Sequence, residues 1–346
     1  MNRFGVIGSG SWATALTKIL TDSQHKLNWW VRNEQIKEHI QQRNHNPNYL
    51  SSVYFDLNNL NMYTDMSKAI SASDVVVIAV PSAYLEDLLV QLPADAFEGK
   101  KVVSAVKGIL PKENILLNEY LSKHFNLELS NYFTIMGPCH AEEVASERLS
   151  YLTFSGVDEA ETRNIAANFN TPYITTIVNH DIYGVQYAAI LKNIYAIGAG
   201  IAHGLDYGDN FQSVYIANVA DEMAGFLRKV GIQGIEVGVH GEDDPVSHKK
   251  SPNYAASVYL GDLLVTCYSL HSRNRTFGNM VGKGYSVMTA QLEMNMVAEG
   301  YNASRCMHII NQKIGADMPI ASTIYRILWE QLPARKGFSE IEKELV

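Results

Sequence analysis

A glycine-rich segment near the N-terminus has the residue types and spacing that bind a diphosphate. Residues 8–13 read G-S-G-S-W-A, the pattern G-x-G-x-x-A, directly after a predicted strand at residues 3–7. Gly8 permits a tight turn, Gly10 lets the backbone approach a pyrophosphate, and Ala13 allows close packing of helix on strand. A helix that begins here directs unpaired N–H groups and its positive dipole end at the phosphates. The alternative is a glycine turn without a cofactor, but the context favours a dinucleotide site.

The end of the second predicted strand bears on which dinucleotide is bound. NAD-selective sites place Asp or Glu about 20 residues after the glycine loop, where it accepts a hydrogen bond from the ribose 2′-OH. Here residues 27–31 form the strand, and Arg32 and Asn33 follow, so the position is cationic. Arg32 can pair with a 2′-phosphate or stack on adenine, although a solvated charge is the alternative. We therefore predict that NADP(H) is accepted, with NAD(H) also used.

Lys192 is the residue best suited to proton transfer. It lies in residues 188–195, an otherwise largely apolar stretch. A lysine is costly to bury unless it is paired, and burial lowers its pKa toward the working pH. Lys192 is therefore a candidate general acid, with a structural ion pair or a helix lysine that reaches solvent as the alternatives. Asp262 is the natural partner because it also has apolar neighbours, although a helix N-cap is a second interpretation.

Two further groups of polar residues can bind an anionic substrate. Lys107 ends a predicted strand just before Gly108, at the carboxyl edge where open α/β sheets bind ligands. Residues 272–274 read S-R-N and combine a guanidinium fork for phosphate with two neutral donors. The alternative for this second group is a solvated loop.

Composition excludes several functional classes. Hydrophobic residues make up 47% and charged residues 18% of the 346 residues, and the formal net charge is −8. This composition suits a globular protein and argues against a nucleic-acid binder, which needs clustered Lys and Arg. The three cysteines have no C-x-x-C spacing, and the eleven histidines show no trusted ligand spacing, so we expect reduced thiols and no metal. Residues 185–201 are the most apolar stretch, but Gln186, Lys192 and Asn193 interrupt it, which indicates a buried helix and not a membrane span.

The predicted elements divide the chain into two parts. In residues 1–180, short apolar runs alternate with amphipathic segments, which predicts a Rossmann-type doubly wound parallel sheet. Residues 181–346 show helical periodicity and predict a helical domain, so the fold class is α/β plus all-α. Residues 231–253 are polar and rich in turn residues, which predicts a long surface loop. The strands are predicted at residues 3–7, 27–31, 74–80, 101–106, 133–136, 151–154 and 173–177, and the helices at 12–22, 82–92, 183–203, 210–230, 289–314 and 319–329.

Several motifs together resemble the NAD(P)-dependent glycerol-3-phosphate dehydrogenases of bacterial biosynthetic type. The resemblance spans nearly the whole chain in order. It rests on residues 8–16, 80–82, 106–109, 137–143, 191–193, 199–202, 204–205, 260–263, 266–267, 272–278 and 298–300.

The family resemblance implies a reaction and a set of site residues. The reaction is reduction of dihydroxyacetone phosphate to sn-glycerol 3-phosphate by NAD(P)H for phospholipid synthesis. The resemblance further implies a cytoplasmic homodimer. The implied catalytic residues are Lys192, Lys107 and Asp262. The implied substrate residues are Lys107, Gly137, Cys139, Lys192, Asn193, Asp262, Ser272, Arg273 and Asn274, with Thr266 as a further contact. The implied cofactor residues are Gly8, Ser9, Gly10, Ser11, Trp12, Arg32, Pro81, Lys107, Ala141, Arg273, Val297 and Glu299.

This chain departs from the family pattern at two places. Cys139 replaces the usual Ser, and residues 231–253 are longer than usual. Two other functions remain open at this point. One is a β-hydroxyacid or 6-phosphogluconate-type dehydrogenase, and the other is a sensor that binds NADP(H) without turnover.

Overall fold

The computed structural model describes residues 2–23, 25–232, 256–294 and 298–346. These residues fall into two compact units. The first contains Met1–Val106 and Ile115–Ile182, and the second contains Lys107–Asn114 and Tyr183–Val346.

The first unit is built on an eight-stranded sheet in the order β3-β2-β1-β4-β5-β6-β7-β8. Continuous Val/Ile runs form its centre because both faces are covered, and all four residues of β4 are buried. The strands are β1 (Phe4–Ile7), β2 (Leu27–Trp30), β3 (Leu60–Tyr63), β4 (Val75–Ile78), β5 (Lys101–Ser104), β6 (Tyr132–Met136), β7 (Ser150–Ser155) and β8 (Ile174–Asn179). The predicted doubly wound sheet is therefore confirmed.

Two details of the sheet differ from the prediction. β7 runs antiparallel to β6, so the sheet is mixed and not wholly parallel. The segment between these strands contains only a five-residue helix, Ala141–Ala145, which packs on the first helix of the chain. β3 was missed, because this edge strand reads L-N-M-Y and buries only its first residue. Such a strand lacks the continuous apolar run that marks its neighbours.

The helices of the first unit connect these strands. They are α1 (Ser11–Asp22), α2 (Glu34–Arg43), α3 (Met66–Ser71), α4 (Ser82–Leu89), α5 (Leu117–Phe125), α6 (Ala141–Ala145) and α7 (Glu159–Ala167). α2 shows how local sequence sets the ends of a helix. The side chain of Asn33 accepts a hydrogen bond from the Ile36 N–H, and Asn44 ends the helix in the left-handed conformation.

The second unit is helical. Its helices are α8 (Ile182–Gly204), α9 (Asp209–Lys229), α10 (Asp262–Tyr268), α11 (Arg273–Gly282), α12 (Val287–Glu293), α13 (Glu299–Ile314), α14 (Pro319–Trp329) and α15 (Ala334–Glu344). The helix predicted over residues 289–314 is wrong, because α12 and α13 are separate helices. The backbone N–H of Gly300, in the first turn of α13, donates to the Asn274 side chain. The local hydrophobic periodicity does not reveal this tertiary contact. Most of the predicted loop at 231–253 lies outside the described residues.

α8 and α11 pack with their backbones in contact. A Cβ atom on Gly200 would lie 2.0 Å from the backbone oxygen of Arg275, and one on Gly278 would lie 2.0 Å from that of Ile197. Both distances are far below van der Waals contact, so only glycine allows the two helices to approach this closely. The packing fixes the start of α11 beside the middle of α8.

Glu222 of α9 anchors two other helices of the second unit. Its buried carboxylate accepts hydrogen bonds from the backbone N–H groups of Ile320 (2.7 Å) and Ala321 (2.9 Å) at the start of α14. It also accepts one from the hydroxyl of Tyr195 of α8 at 3.0 Å. Burial raises the pKa of Glu222 to about 7 despite these donors. α8 is therefore held in place one turn beyond Lys192.

Candidate functional site

The glycine loop of the first unit has the geometry that a pyrophosphate requires. Gly8 has φ +141°, and a Cβ there would lie 2.5 Å from the Ala79 oxygen, so the turn needs glycine. Gly10 precedes α1 without a side-chain cap, and a Cβ there would have no neighbour within 4 Å. The free space at Gly10 adjoins the N-terminus of a twelve-residue helix. These residues fit a dinucleotide pyrophosphate.

Other predicted cofactor residues of the first unit follow the carboxyl ends of parallel strands. Arg32 is exposed just after β2, Pro81 precedes α4 just after β4, and Ala141 begins α6 after β6. The glycine loop follows β1, so all four segments lie at the same edge of the sheet. This edge is where open α/β sheets bind ligands. Val297 lies outside the described residues.

The predicted substrate residues Gly137 and Cys139 follow β6. Gly137 has φ +122°, and a Cβ there would meet the Tyr151 oxygen at 2.9 Å. Cys139 is buried among apolar residues that include Ala141 and Val144. A thiol forms weaker hydrogen bonds than a hydroxyl, so cysteine suits this apolar setting.

Lys192 and Asp262 form a buried ion pair in the second unit. Their side chains are only 3% and 2% exposed, and Nζ of Lys192 contacts Oδ1 of Asp262. Lys192 lies in the part of α8 where every residue from 188 to 202 is buried. Asp262 begins α10, directly after a π-helical turn, Ala256–Gly261. Within the described part of the chain, Oδ2 of Asp262 is buried and has no hydrogen-bond partner. The pair thus offers an acid and an open acceptor side by side.

The surroundings of Lys192 bring its pKa close to neutrality. The pKa falls to about 8 as the net result of burial, which lowers it most, of Asp262, which raises it, and of the nearby charge of Lys107, which lowers it. Burial raises the pKa of the neighbouring Cys267 thiol to about 12, which keeps it neutral. Lys192 can therefore exchange a proton near pH 8, as a general acid or base must.

Two amide side chains join four segments around this pair. Asn193 donates from Nδ2 to the backbone oxygen of Lys107 at 3.0 Å, and its Oδ1 accepts from Asn274 Nδ2 at 2.9 Å. Oδ1 of Asn274 in turn accepts from the Gly300 N–H at 2.9 Å. The two predicted substrate residues thus also hold Lys107 and the start of α13 beside Lys192.

The predicted phosphate residues meet at the start of α11. Ser272 is a buried N-cap whose hydroxyl accepts from the Arg275 N–H at 3.3 Å, and Arg273 is the first, partly buried residue of the helix. Thr266 of α10 donates its hydroxyl to the Asp262 backbone oxygen at 2.5 Å. Glu299 is the first residue of α13. Lys107, Arg273 and Glu299 were predicted to contact the cofactor, and all three belong to the second unit.

Sequence reasoning missed the residues that support the glycine loop. Trp29, Asn46 and Thr14 each donate a side-chain hydrogen bond to one of its carbonyl groups. Thr14 and Trp29 lie next to recognised motifs, but Asn46 lies in a polar turn without any periodic signal.

Neither a metal cluster nor a membrane helix is found in the part of the chain that the structure describes. No group of three or more His, Cys, Asp and Glu side chains there is arranged to hold a metal ion. No helix there combines the length and apolar character needed to cross a bilayer.

A dinucleotide loop at the edge of a doubly wound sheet, with a helical unit that carries a buried lysine, defines an NAD(P)-dependent oxidoreductase. Comparison with known families agrees. The model for the N-terminus of NAD-dependent glycerol-3-phosphate dehydrogenase matches residues 3–162, and the model for its C-terminus matches residues 181–339. The chain belongs to the NAD-dependent glycerol-3-phosphate dehydrogenase family. The predicted family and enzyme class are confirmed.

Individual relatives cover almost the whole chain. A glycerol-3-phosphate dehydrogenase [NAD(P)+] of Chlorobium limicola is 32% identical over 337 residues, which is 97% of this chain and 96% of that protein. One from Salinibacter ruber is 32% identical over 97% of this chain and 94% of its own length. The crystal structure of glycerol-3-phosphate dehydrogenase from Coxiella burnetii superimposes with a TM-score of 0.86 at 24% identity and covers 99% of both chains. This last likeness supports the fold.

Proposed function

We propose that this chain reduces dihydroxyacetone phosphate to sn-glycerol 3-phosphate with NADPH or NADH, and that Lys192 donates the proton. The single observation that carries the proposal is the buried Lys192–Asp262 pair, in which the pKa of the lysine is lowered to about 8. A buried lysine whose pKa lies near the working pH can donate a proton to a ketone oxygen during reduction and take it back in the reverse direction.

The reaction needs one proton at the oxygen that becomes an alkoxide. The reduced nicotinamide, when bound, supplies hydride to the ketone carbon. Nζ of Lys192 gives its proton to the ketone oxygen as negative charge develops there, and in the reverse direction the neutral amine takes it back. General acid catalysis of this kind contributes about 10²–10⁴-fold. The positive charge of Lys107, held near Lys192 by Asn193, further stabilises the developing negative charge.

Asp262 and the start of α11 orient the rest of the substrate. Oδ2 of Asp262, which has no hydrogen-bond partner among the described residues, is suited to accept a hydrogen bond from the substrate hydroxyl, since a buried carboxylate oxygen is costly to leave unpaired. Arg273 supplies a guanidinium for the phosphate. Ser272 and Asn274 already bond to protein groups, so they position Arg273 and Asn193 as well as offering their remaining hydrogen-bonding capacity.

The glycine loop and Arg32 determine cofactor binding in this proposal. Gly8, Ser9, Gly10, Ser11 and Trp12 hold the pyrophosphate at the start of α1. Arg32 is exposed at the end of β2, where it can pair with a 2′-phosphate, and this supports acceptance of NADP(H) beside NAD(H). The dimer, the cytoplasmic location and the supply of phospholipid synthesis rest on the family resemblance and stay predictions.

The test is oxidation of NADPH, and separately of NADH, in the presence of dihydroxyacetone phosphate. Wild type is compared with Lys192→Ala and with Lys18→Ala, which removes another buried, ion-paired lysine from the first unit. We expect turnover in wild type and Lys18→Ala, and a loss of about 10²-fold or more in Lys192→Ala with NADPH binding retained. Binding of NADPH by wild type without turnover would instead support the sensor function.

A further inference from the structure

Three consecutive carbonyl groups of the glycine loop are each held by a protein side chain. Nε1 of Trp29 donates to the Gly8 oxygen at 2.7 Å, and Nδ2 of Asn46 donates to the Ser9 oxygen at 3.1 Å. The hydroxyl of Thr14 donates to the Gly10 oxygen at 2.9 Å. The loop is therefore oriented by its surroundings as well as by its glycines.

Fixing a carbonyl also fixes the N–H group that follows it. In a trans peptide the two point in opposite directions, so a C=O held against the protein turns the next N–H away from it. Among the described residues, no backbone oxygen accepts a hydrogen bond from the N–H of Ser9, Gly10 or Ser11. These three N–H groups are the ones that follow the three held carbonyls.

Asn46 makes the contact that reaches this loop from furthest along the chain. It is 0% exposed and lies in the turn after α2. Both Nδ2 hydrogens are used, because the same nitrogen also donates to the Thr14 hydroxyl at 2.9 Å. Its Oδ1 accepts from the Asn48 N–H at 3.0 Å. A side chain with all these partners has one orientation, and it transmits that orientation to Ser9 and, through Thr14, to Gly10.

We propose that Asn46 is a positioning residue of the dinucleotide site: it holds the Ser9 carbonyl and the Thr14 hydroxyl so that the loop N–H groups are presented to the pyrophosphate. The inference rests on the proposed use of NAD(P)H. Asn46 contributes to the affinity for the cofactor and not to catalysis, because its side chain is buried beneath the loop and takes no part in proton transfer.

The chain offers a matched control for this residue. Asn28 of β2 is also buried, and its Nδ2 also donates to one backbone oxygen, that of Ala72, and to one hydroxyl, that of Ser73. These partners lie between α3 and β4 and not in the glycine loop. Oδ1 of Asn28 accepts from the Asn61 side chain, whereas Oδ1 of Asn46 accepts from a backbone N–H. Asn46→Ala and Asn28→Ala therefore each remove three hydrogen bonds from the same unit.

The experiment measures NADPH dissociation constants by calorimetry, together with melting temperatures and steady-state constants. We expect Asn46→Ala to weaken NADPH binding by about tenfold or more and to raise the KM for NADPH, with kcat and the KM for dihydroxyacetone phosphate unchanged. Asn28→Ala should lower the melting temperature to a similar degree without changing NADPH affinity. Thr14→Val should weaken binding as well and Thr14→Ser should not, which provides a second route if Asn46→Ala fails to fold.

Three outcomes would overturn the proposal. Equal NADPH affinity in Asn46→Ala and wild type removes the positioning role alone. Equal weakening by Asn46→Ala and Asn28→Ala assigns the effect to general stability. Failure of wild type to bind either NADPH or NADH overturns the proposed function together with this inference.

Discussion

Replacement of Asp262 by Asn should move the pH dependence of ketone reduction without abolishing the reaction. The pKa of Lys192 is lowered from 10.5 to about 8, a difference of 2.5 units, which corresponds to about 3 kcal/mol in favour of the neutral amine. This is the net result of burial and Lys107 acting against Asp262. Because both side chains are almost fully buried, solvent screens their interaction very little.

Removal of the carboxylate charge takes away the one large effect that favours the ammonium form. At an effective dielectric constant of about 20, unit charges about 4 Å apart attract by about 4 kcal/mol, which corresponds to a shift on the order of three pH units. We expect the reductive kcat of wild type to fall as pH rises through about 8. In Asp262→Asn the same fall should occur at least about one unit lower, so the loss is large at neutral pH and is recovered in acid.

The assay is initial-rate NADPH oxidation at saturating substrates across the pH range, because kcat then reports the pKa in the enzyme–substrate complex. Oxidation of glycerol 3-phosphate should show the opposite dependence and rise as Lys192 loses its proton. Asp22→Asn, which removes a carboxylate paired with Lys18 in the first unit, is the control and should leave the midpoint unchanged. A loss in Asp262→Asn by the same factor at every pH would refute the tuning of Lys192 by Asp262.

Three further predictions concern other residues. Gly10→Ala should leave the melting temperature nearly unchanged but weaken NADPH binding in calorimetry by about tenfold. Gly8→Ala should instead cost about 1–3 kcal/mol of folding stability, because φ of Gly8 is +141°. Equal effects of the two substitutions on stability would contradict this prediction. Arg32→Asp should lower the ratio of kcat/KM for NADPH over NADH by about tenfold or more, and an unchanged ratio would exclude a 2′-phosphate contact. Glu222 has its pKa raised from 4.5 to about 7, so the folded chain binds more protons than the unfolded chain in this window and loses stability as pH rises through it. In urea unfolding, Glu222→Gln should lack this loss, which amounts to about 3 kcal/mol; a difference from wild type that is constant with pH would contradict the assignment.

Local patterns were sufficient where one segment carries its own signal. The apolar strands β1, β2 and β4 and the glycine loop were all recognised from the residues themselves. Lys192 and Asp262 stood out because charged residues in apolar segments need partners, and the structure pairs them. Burial supplied the reason for the strands and for the ion pair, and residue spacing supplied it for the glycine loop.

Tertiary contacts account for what local patterns missed. Asn46 reaches Ser9 across 37 residues, and no periodicity marks it. The separation of α12 from α13 coincides with the hydrogen bond from Gly300 to Asn274, which joins positions 26 residues apart. β7 likewise runs antiparallel to β6, and the segment that joins them contains α6, which packs on the distant α1. Each of these features is decided by partners distant in sequence.

The glycine contact between α8 and α11 has a consequence for ligand selectivity. Gly200 and Gly278 bring the backbones of the two helices into contact, and the hydrogen bond between the Asn193 and Asn274 side chains joins the same helices, so the separation of Lys192 from the start of α11 is fixed. A site of fixed dimensions needs little reorganisation to bind a ligand of the right length, and it adjusts little to a longer or shorter ligand. Rigid analogues that hold an anionic group and a carbonyl oxygen at one distance should therefore be discriminated by length more sharply than by polarity.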